Sequence, residues 1–319
     1  MSRYDSLTRV KMKIVSYNIR FGLGTDHRID LKRIAETVRD ADIIGLQEVE
    51  RFWKRGGMLD QPDIIGGYLK DRYWVYCPAF DMDASERQED GGVINRRRQF
   101  GPMVLSRWPI IASRLIVFPK LGTVKHFNMD TGGIECVVDA PSGPMRVYSI
   151  HLSAISPRDR LLQIDYLLAW HRRARSNGGA WTGGNTIDIM DGYEDFIGFE
   201  WSDGKPQPPM PDATIVIGDF NSGPESAEFQ RMVGTFDPIN GQVEHLDSFV
   251  DSWAVAGERF GDDDCITWRP DPPGRSPGYG LRLDYCFVSP DLGHTVKSAW
   301  VDSSAEGSDH RPYWVELGL

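Results

Sequence analysis

Two polar side chains follow an apolar segment in the second half of the chain. The run 213–217 is followed by a glycine, and Asp219 and Asn221 come directly after it. At strand spacing these two side chains point to the same side, and Phe220 between them turns into the core. An acid beside an amide can hold a water molecule or a metal ligand. The alternative is an ordinary turn, since Asp, Asn and Gly all favour turns.

A carboxylate interrupts an apolar segment nearer the N-terminus. In the segment 45–49, Glu48 follows Gln47 and has apolar residues on both sides. A buried carboxylate is costly, so it needs a cation, an arginine or a metal ion as partner. Hard divalent cations prefer oxygen ligands of this kind. A salt bridge to an arginine and a metal site both stay open at this point.

A third polar pair stands just before the last apolar segment. Asp309 offers an oxygen ligand and His310 an imidazole at one place. A histidine can take a proton from water near neutral pH if a neighbour fixes its tautomer. Asp284, at the start of another predicted strand, is the candidate for that neighbour. A surface Asp-His pair before a strand is also common, so this pair alone does not decide.

Two more predicted strands end in polar residues. The first strand ends near Asn18, and a later one ends at His151. His151 could be a hydrogen-bonded core histidine, which is the commoner fate, or it could protonate a leaving group or bind a phosphate oxygen. Ligands of layered α/β sheets collect where strands end. Six polar motifs at strand ends therefore predict one common cleft.

The elements that must position these residues alternate between strand and helix, which is typical of a layered α/β architecture. The predicted strands are 13–19, 42–49, 103–106, 134–139, 146–151, 214–218, 285–289 and 313–317. Helices are predicted to begin at the caps Asp30 and Ser156, and a third begins after Pro224. We expect loops over the charged segment 86–99 and over 177–212, which is rich in Gly, Pro and Trp. We expect a single domain, residues 1–319, with 177–212 as an insert.

Composition limits the functional classes. The 319 residues carry a net charge of -10, which disfavours nonspecific binding to a polyanion such as nucleic acid. The four cysteines stand far apart and match no zinc template, so we predict free thiols. No signal peptide or long apolar run is evident, and a cytoplasmic protein is expected by default.

These motifs resemble those of the endonuclease/exonuclease/phosphatase superfamily, which includes pancreatic deoxyribonuclease, apurinic endonucleases, sphingomyelinases and inositol polyphosphate phosphatases. The matching blocks occur in the family's order and are 17–20, 46–49, 149–152, 218–221, 282–285 and 308–312. The resemblance implies an α/β (α+β) fold. This fold is a four-layered sandwich with two mixed β-sheets packed face to face and helices outside.

The resemblance also implies roles for individual residues. It implies Mg²⁺, with Mn²⁺ as a substitute, held by Glu48 with Asn18 and Asp309 close by. Asp219 and Asn221 would orient the attacking water and the phosphoryl oxygen. His310, paired with Asp284, would act as general base or as transition-state donor, and His151 would stabilise the phosphate or the leaving group. The remaining expected substrate contacts are Arg20, Arg282 and Gln99.

The sequence therefore predicts an Mg-dependent phosphoric ester hydrolase that acts on a small or lipid-like phosphoester. The alternative is a DNA or RNA nuclease, for which the triplet 96–98, three arginines, could contact a backbone. A catalytically silent binding protein of the same fold is a third reading, disfavoured because every motif residue is present. Two departures from the family pattern concern the substrate: Pro102 stands where asparagine is common, and 131–135 lacks an arginine. No obligate protein partner is evident.

Overall fold

The computed structural model describes residues 10–183, 201–257, 263–270 and 280–319. The strands are β1 (Lys11–Asn18), β2 (Ile43–Arg51), β3 (Tyr73–Tyr76), β4 (Phe80–Asp83), β5 (Glu86–Arg87), β6 (Val93–Ile94), β7 (Arg97–Ser106), β8 (Ile110–Val117), β9 (Gly132–Ala140), β10 (Gly143–His151), β11 (Thr214–Asp219), β12 (Phe236–Asp237), β13 (Gly241–Gln242), β14 (Val250–Asp251), β15 (Asp284–Val288), β16 (Val296–Val301) and β17 (Tyr313–Gly318). The helices are α1 (Leu31–Val38), α2 (Gln61–Tyr68), α3 (Pro157–Asn177), α4 (Ala227–Val233), α5 (Ser252–Val255) and α6 (Pro290–Gly293). Short 3₁₀ turns lie at Arg20–Gly22 and Asp263–Cys265.

Most of the strands form two sheets. The first has the order β16-β17-β1-β2-β7-β3, with β4 also paired to β7, and the second has the order β14-β15-β11-β10-β9-β8. Each sheet is mixed, because β1 and β2 are parallel in the first and β10 and β11 are parallel in the second, while their other pairs are antiparallel. The predicted strands at both centres are confirmed, with ends that coincide or differ by up to six residues.

Alternation along the central strands divides the apolar residues into layers. Ile14 of β1, Val147 of β10 and Ile217 of β11 belong to the core between the sheets. Their neighbours Val15 and Tyr148 face outward, under the helices. Helix α1 covers the first sheet, and α3 and α4 cover the second. The predicted four-layered sandwich is confirmed.

Side-chain caps begin the helices where the sequence predicts. Asp30 accepts a hydrogen bond from the backbone N–H of Arg33 at 2.9 Å. Ser156 accepts from the N–H of Asp159 at 3.1 Å, and Pro157 occupies the first turn of α3. Each cap satisfies an N–H that the helix itself leaves without a partner.

The loop predicted over 86–99 is wrong. The structure has a small hairpin of β5 and β6 there, and β7 already begins at Arg97. Cross-strand ion pairs explain how such charged residues form strands, because Arg97 of β7 bonds Asp81 of β4 at 2.7 Å. The segment was predicted as a loop from its charge alone.

The expected insert lies only partly within the described residues. Helix α3 ends at Asn177, and the stretches 178–183 and 201–212 contain no helix or strand. The stretch 184–200 lies outside the described residues, and the single domain with an insert stays a prediction. All four cysteines are free thiols, as predicted. No described helix is both long and apolar enough to cross a membrane, and the cytoplasmic location stays a prediction.

Candidate active site

Three functional side chains form a row across the second sheet. His151 of β10 is the register partner of Asp219 of β11, and Asp219 is the partner of Asp284 of β15. By strand alternation all three face the gap between the sheets, like Val147, Ile217 and Cys286, which lie two or four positions from them on the same strands. They therefore lie at the end of the core, where its apolar filling stops.

Asn18 joins the first sheet to this row. It is the last residue of β1 and is buried. Its Nδ2 donates to Asp219 Oδ2 at 2.9 Å and to Glu48 Oε1 at 3.1 Å, and its Oδ1 accepts from the N–H of Arg20 at 3.0 Å. One amide thus fixes two carboxylates that belong to different sheets.

A β-bulge turns Glu48 toward the cleft. Leu46 pairs with Met103, but Val49 pairs with Gly101, so β2 has one more residue than β7 in this interval. Glu48 lies in the extra stretch with a left-handed φ of 60°, unusual for a residue with a Cβ. Bulges re-aim side chains in this way next to active sites. The Glu48 side chain keeps 23% of its surface exposed.

His310 and Asp284 form a buried pair. Nδ1 of His310 lies 2.8 Å from Asp284 Oδ2, and Nε2 on the other side of the ring lies 3.7 Å from Asp219 Oδ2. Thr267 holds the start of β15, because its Oγ accepts the N–H groups of Leu283 and Asp284. The bond to Asp284 fixes the ring so that Nε2 points toward Asp219.

The charges around this pair favour a protonated imidazole. Burial opposes the charge on His310, but the Asp284 and Asp219 carboxylates outweigh it and raise the pKa of His310 to about 10. Burial raises the pKa of Asp284 to about 6, against the opposing effect of the His310 charge. At neutral pH the pair is therefore an imidazolium bonded to a carboxylate.

These residues border a cleft of about 520 Å³. Its described lining is Arg20, Phe21, Glu48, His151, Ala154, Asp219, Asn221, Trp268, Leu281, Leu283, Asp309 and His310. His151 Nε2 lies 3.6 Å from Asp219 Oδ2 and 3.9 Å from Glu48 Oε1. Asp309 also lines the cleft, where its Oδ2 is 3.8 Å from an Nη of Arg20 and accepts from Trp268 Nε1 at 3.3 Å.

The donor set suits a hard divalent cation. Among the described lining residues, three carboxylates face one arginine and the imidazolium of His310, and a bound cation would offset the negative charge that is left over. Ligand atoms of Asp219, Asp284 and His310 lie within 4.8 Å of one another. Asp284 and His310 already bond each other, and the carboxylates of Glu48, Asp219 and Asp309 line the cleft. These carboxylates are oxygen donors of the kind that a hard divalent cation prefers.

Residues 15–310 match the family model described as endonuclease/exonuclease/phosphatase family. The chain belongs to the endonuclease/exonuclease/phosphatase family. Members of this family are phosphoester hydrolases and generally depend on divalent metals. None of the curated proteins matches the sequence.

Solved structures of other family proteins share the fold at low identity. A family protein from Bacteroides vulgatus is 15% identical, with a TM-score of 0.57 over 98% of this chain and 100% of that one. The mannosyl-6-phosphatase of Bacteroides thetaiotaomicron is 18% identical, with a TM-score of 0.55 over 97% and 100%. A 3′ phosphatase from Neisseria, bound to a product DNA hairpin, is 17% identical, with a TM-score of 0.54 over 97% and 100%. At these identities the likeness shows the fold alone.

The structure brings most of the predicted site residues of this family member together. The seven that line the cleft are Arg20, Glu48, His151, Asp219, Asn221, Asp309 and His310. Asn18 and Asp284 lie directly behind them, bonded to Asp219 and His310. Asn221 is held by its Nδ2, which donates to the carbonyl of Leu152 at 3.0 Å.

Two predicted substrate contacts lie elsewhere. The Arg282 side chain is 1% exposed and bonds Asp251 at 2.7 and 3.0 Å, so the expectation of a substrate contact is wrong. Arg282 lies two residues before Asp284 and outside β15, so strand alternation does not predict the direction of its side chain. Gln99 donates to Asp81 at 3.1 Å and is absent from the cleft lining, so its predicted contact with substrate is not supported either.

Sequence reasoning missed Phe21, Thr267 and Trp268. Phe21 and Trp268 line the cleft, and Thr267 anchors the strand that carries Asp284. The only signal for the last two is a short apolar stretch, 265–268, between acidic and proline-rich segments. Nothing in that stretch tells a core aromatic residue from one that contacts Asp309.

Proposed function

We propose that this chain hydrolyses a small-molecule or lipid-like phosphoester with water, assisted by a divalent metal ion. The observation that carries the proposal is the convergence of carboxylates and two imidazoles in one cleft, with His310 bonded to Asp284 at 2.8 Å. A phosphoester resists attack because its oxygens are negative, and positive groups around it must offset that charge.

The proposed metal ligands are Glu48, Asn18 and Asp309, and the proposed ion is Mg²⁺, with Mn²⁺ as a substitute. Two of these residues open onto the cleft, and Asn18 bonds Glu48 directly. Bound there, the ion would supply Lewis-acid stabilisation of a phosphoryl oxygen.

Asp219 is the proposed acceptor of the water's proton. Its Oδ1 accepts the N–H of Asn221 at 2.8 Å, and its Oδ2 lies between Asn18, His151 and His310. An imidazolium at His310 has no free lone pair to act as base, so the raised pKa supports the role of proton donor to a phosphoryl oxygen. His151, whose Nε2 lies 3.6 Å from the same Asp219 Oδ2, would hold a phosphate oxygen or assist the leaving group.

The charges support a small ester over a nucleic acid. A nucleic-acid interface is strongly positive, whereas the chain has a net charge of -10. The arginine triplet, the feature that pointed to a nuclease, is engaged within the protein. Arg96 bonds Glu86 at 3.1 Å, Arg97 bonds Asp81, and the Arg98 guanidinium lies 5.7 Å from the Trp53 ring centroid.

The test is a panel of phosphomonoesters, phosphodiesters and DNA, assayed with Mg²⁺, with Mn²⁺ and with EDTA. We expect hydrolysis of at least one small ester that EDTA abolishes and Mg²⁺ restores. Glu48→Gln should lower kcat by about 10²–10³-fold, since it weakens the hold on the metal ion that would stabilise the transition state. Glu36→Gln, at an exposed glutamate of α1, is the matched control. Activity that survives complete chelation, or DNA as the only substrate, would contradict the proposal.

A further inference from the structure

The turn that brings Arg20 and Phe21 to the cleft has a strained backbone. Both residues have a left-handed φ, 44° for Arg20 and 46° for Phe21, although neither is glycine. Such a conformation costs free energy and persists only where the surrounding structure imposes it. Both side chains line the cleft. The contacts that impose the strain therefore also place these two side chains.

Gln61, the first residue of α2, makes one of those contacts. It is fully buried. Its Nε2 donates to the carbonyl oxygen of Phe21 at 2.8 Å, and its Oε1 accepts the backbone N–H of Glu50 at 3.0 Å. Glu50 lies on β2 two residues after Glu48. A single amide thus ties the strained turn to the strand that carries the proposed metal ligand.

Arg55 holds the same turn from its other side. Its guanidinium lies 4.4 Å from the centroid of the Phe21 ring, and its Nε donates to the buried carboxylate of Glu50 at 2.7 Å. Phe21 is therefore fixed twice, by its carbonyl through Gln61 and by its ring through Arg55. Both connections end at Glu50.

We propose that Gln61 is a positioning residue that keeps Arg20 at the edge of the cleft. The inference rests on the proposed function in one respect, that Arg20 contacts the phosphoester. Without the hydrogen bond from Gln61, the Phe21 carbonyl loses its buried donor and the turn relaxes toward an ordinary conformation. The Arg20 guanidinium, 3.8 Å from Asp309, then leaves its place.

The chain offers a matched control in Gln163. This glutamine of α3 is also buried and also joins two segments. Its Oε1 accepts the N–H of Ser153 at 2.9 Å, and its Nε2 donates to the carbonyl of Pro119 at 3.1 Å. It does not touch the Arg20 turn. Replacing either glutamine by methionine removes the same amide from a buried site.

The first experiment measures amide hydrogen exchange in the full chain. The N–H groups of Gly22 and Leu23 close the turn on Ile19 and Arg20 at 2.7 and 2.9 Å. Gln61→Met should speed their exchange by about tenfold or more, because local opening becomes easier, and Gln163→Met should not. If Gln61→Met does not fold, Gln61→Leu takes its place. Unchanged exchange at both amides would overturn the proposal.

The second experiment is a double-mutant cycle on kcat/KM with an ester that the wild type hydrolyses. Arg20→Ala and Gln61→Met should each lose about 10- to 100-fold, the range for a hydrogen bond to a charged group. The kcat/KM of the Arg20→Ala/Gln61→Met double variant should lie within about twofold of that of Arg20→Ala alone. The effect of Gln163→Met on kcat/KM should be the same with and without Arg20. Losses that multiply for Arg20 and Gln61 would overturn the proposal. If the wild type hydrolyses no ester, the proposed function fails, and the exchange experiment still decides the role of Gln61.

Discussion

The two ends of the second sheet each enclose a histidine, and the two histidines are held in opposite states. At the cleft, His310 is buried against Asp284 and Asp219, and these carboxylates outweigh burial and raise its pKa to about 10. At the opposite end, His171 of α3 packs on Phe249 with ring centroids 4.7 Å apart. There burial first, and Arg146 second, lower the pKa of His171 to about 4.

This difference separates a functional histidine from a structural one by the charge of its neighbours. Burial disfavours the charged imidazole at both ends of the sheet. At the cleft, the carboxylates of Asp284 and Asp219 reverse that preference and keep the imidazole of His310 charged. The carboxylates near His171, Asp212 and Asp291, raise its pKa less than burial and Arg146 lower it, and no described group makes a hydrogen bond with its buried Nδ1. It is therefore a neutral, partly buried structural side chain.

The same substitution at both histidines tests the comparison most strongly. His310→Gln should lower kcat by about 10²–10⁴-fold, because it removes a proton donor from the reacting phosphate. His171→Gln should leave kcat within about twofold, since it is remote from the cleft. Steady-state kinetics on the ester found with Mg²⁺ gives both numbers, and circular dichroism checks the fold. Equal losses at the two sites would remove the distinction.

Removing the charge of Asp284 should move His310 toward the state of His171. In Asp284→Asn the pKa of His310 should fall, because the larger of the two raising carboxylates is gone while burial remains. NMR titration of the labelled imidazole measures this directly, and the wild-type ring should stay protonated at pH 8. We expect kcat to fall by about 10- to 100-fold, as for other residues that orient an active side chain. A His310 that titrates identically in both proteins would contradict the assigned cause.

The smallest expected effect is the pH dependence of stability at His171. Its pKa is about 4 in the folded chain and near 6.5 when unfolded, so the unfolded state binds the extra proton between these values. Stability is therefore unaffected above pH 6.5 and falls as the pH drops toward 4, by up to about 1.4 kcal/mol per pH unit from this group. His171→Phe should lose that contribution. Urea unfolding of both proteins at pH 7, 6 and 5 measures the difference, and parallel curves would show that His171 is charged or exposed when folded.

Sequence patterns predicted the strand-end residues well because those patterns are local. Asp219 and Asn221 follow an apolar run, and His151 ends one, so their placement needs only strand alternation and the convergence of strand ends. The four-layered sandwich followed from the resemblance of the motifs to one family. Neither prediction depends on knowing how the loops connect the strands.

The remaining features depend on contacts between distant segments. The hydrogen bond from Gln61 to Phe21 joins residues 40 positions apart in the sequence, and the ion pair of Arg282 with Asp251 joins residues 31 positions apart. Neither partner has a sequence signal, so the sequence predicts neither the buried ion pair of Arg282 nor the role of the buried Gln61 amide. The strand that begins at Arg97 is likewise not predictable from its own residues, because the carboxylate that pairs with Arg97, Asp81, lies on another strand.

The β-bulge in β2 also sets the phase of that strand. Leu46 and Val49 are three positions apart, which would place them on opposite faces of a regular strand, yet both pack in the layer under α1 and α2. A regular backbone through all of these residues would exchange the sides of the buried Val49 and the carboxylate of Glu50. Deleting one residue would instead restore regular alternation and leave Leu46 and Val49 on the same face, but the bulge that aims Glu48 at the cleft would be lost. The extra residue and the bulge therefore belong together, because one shifts the phase of β2 by a position and the other shifts it back.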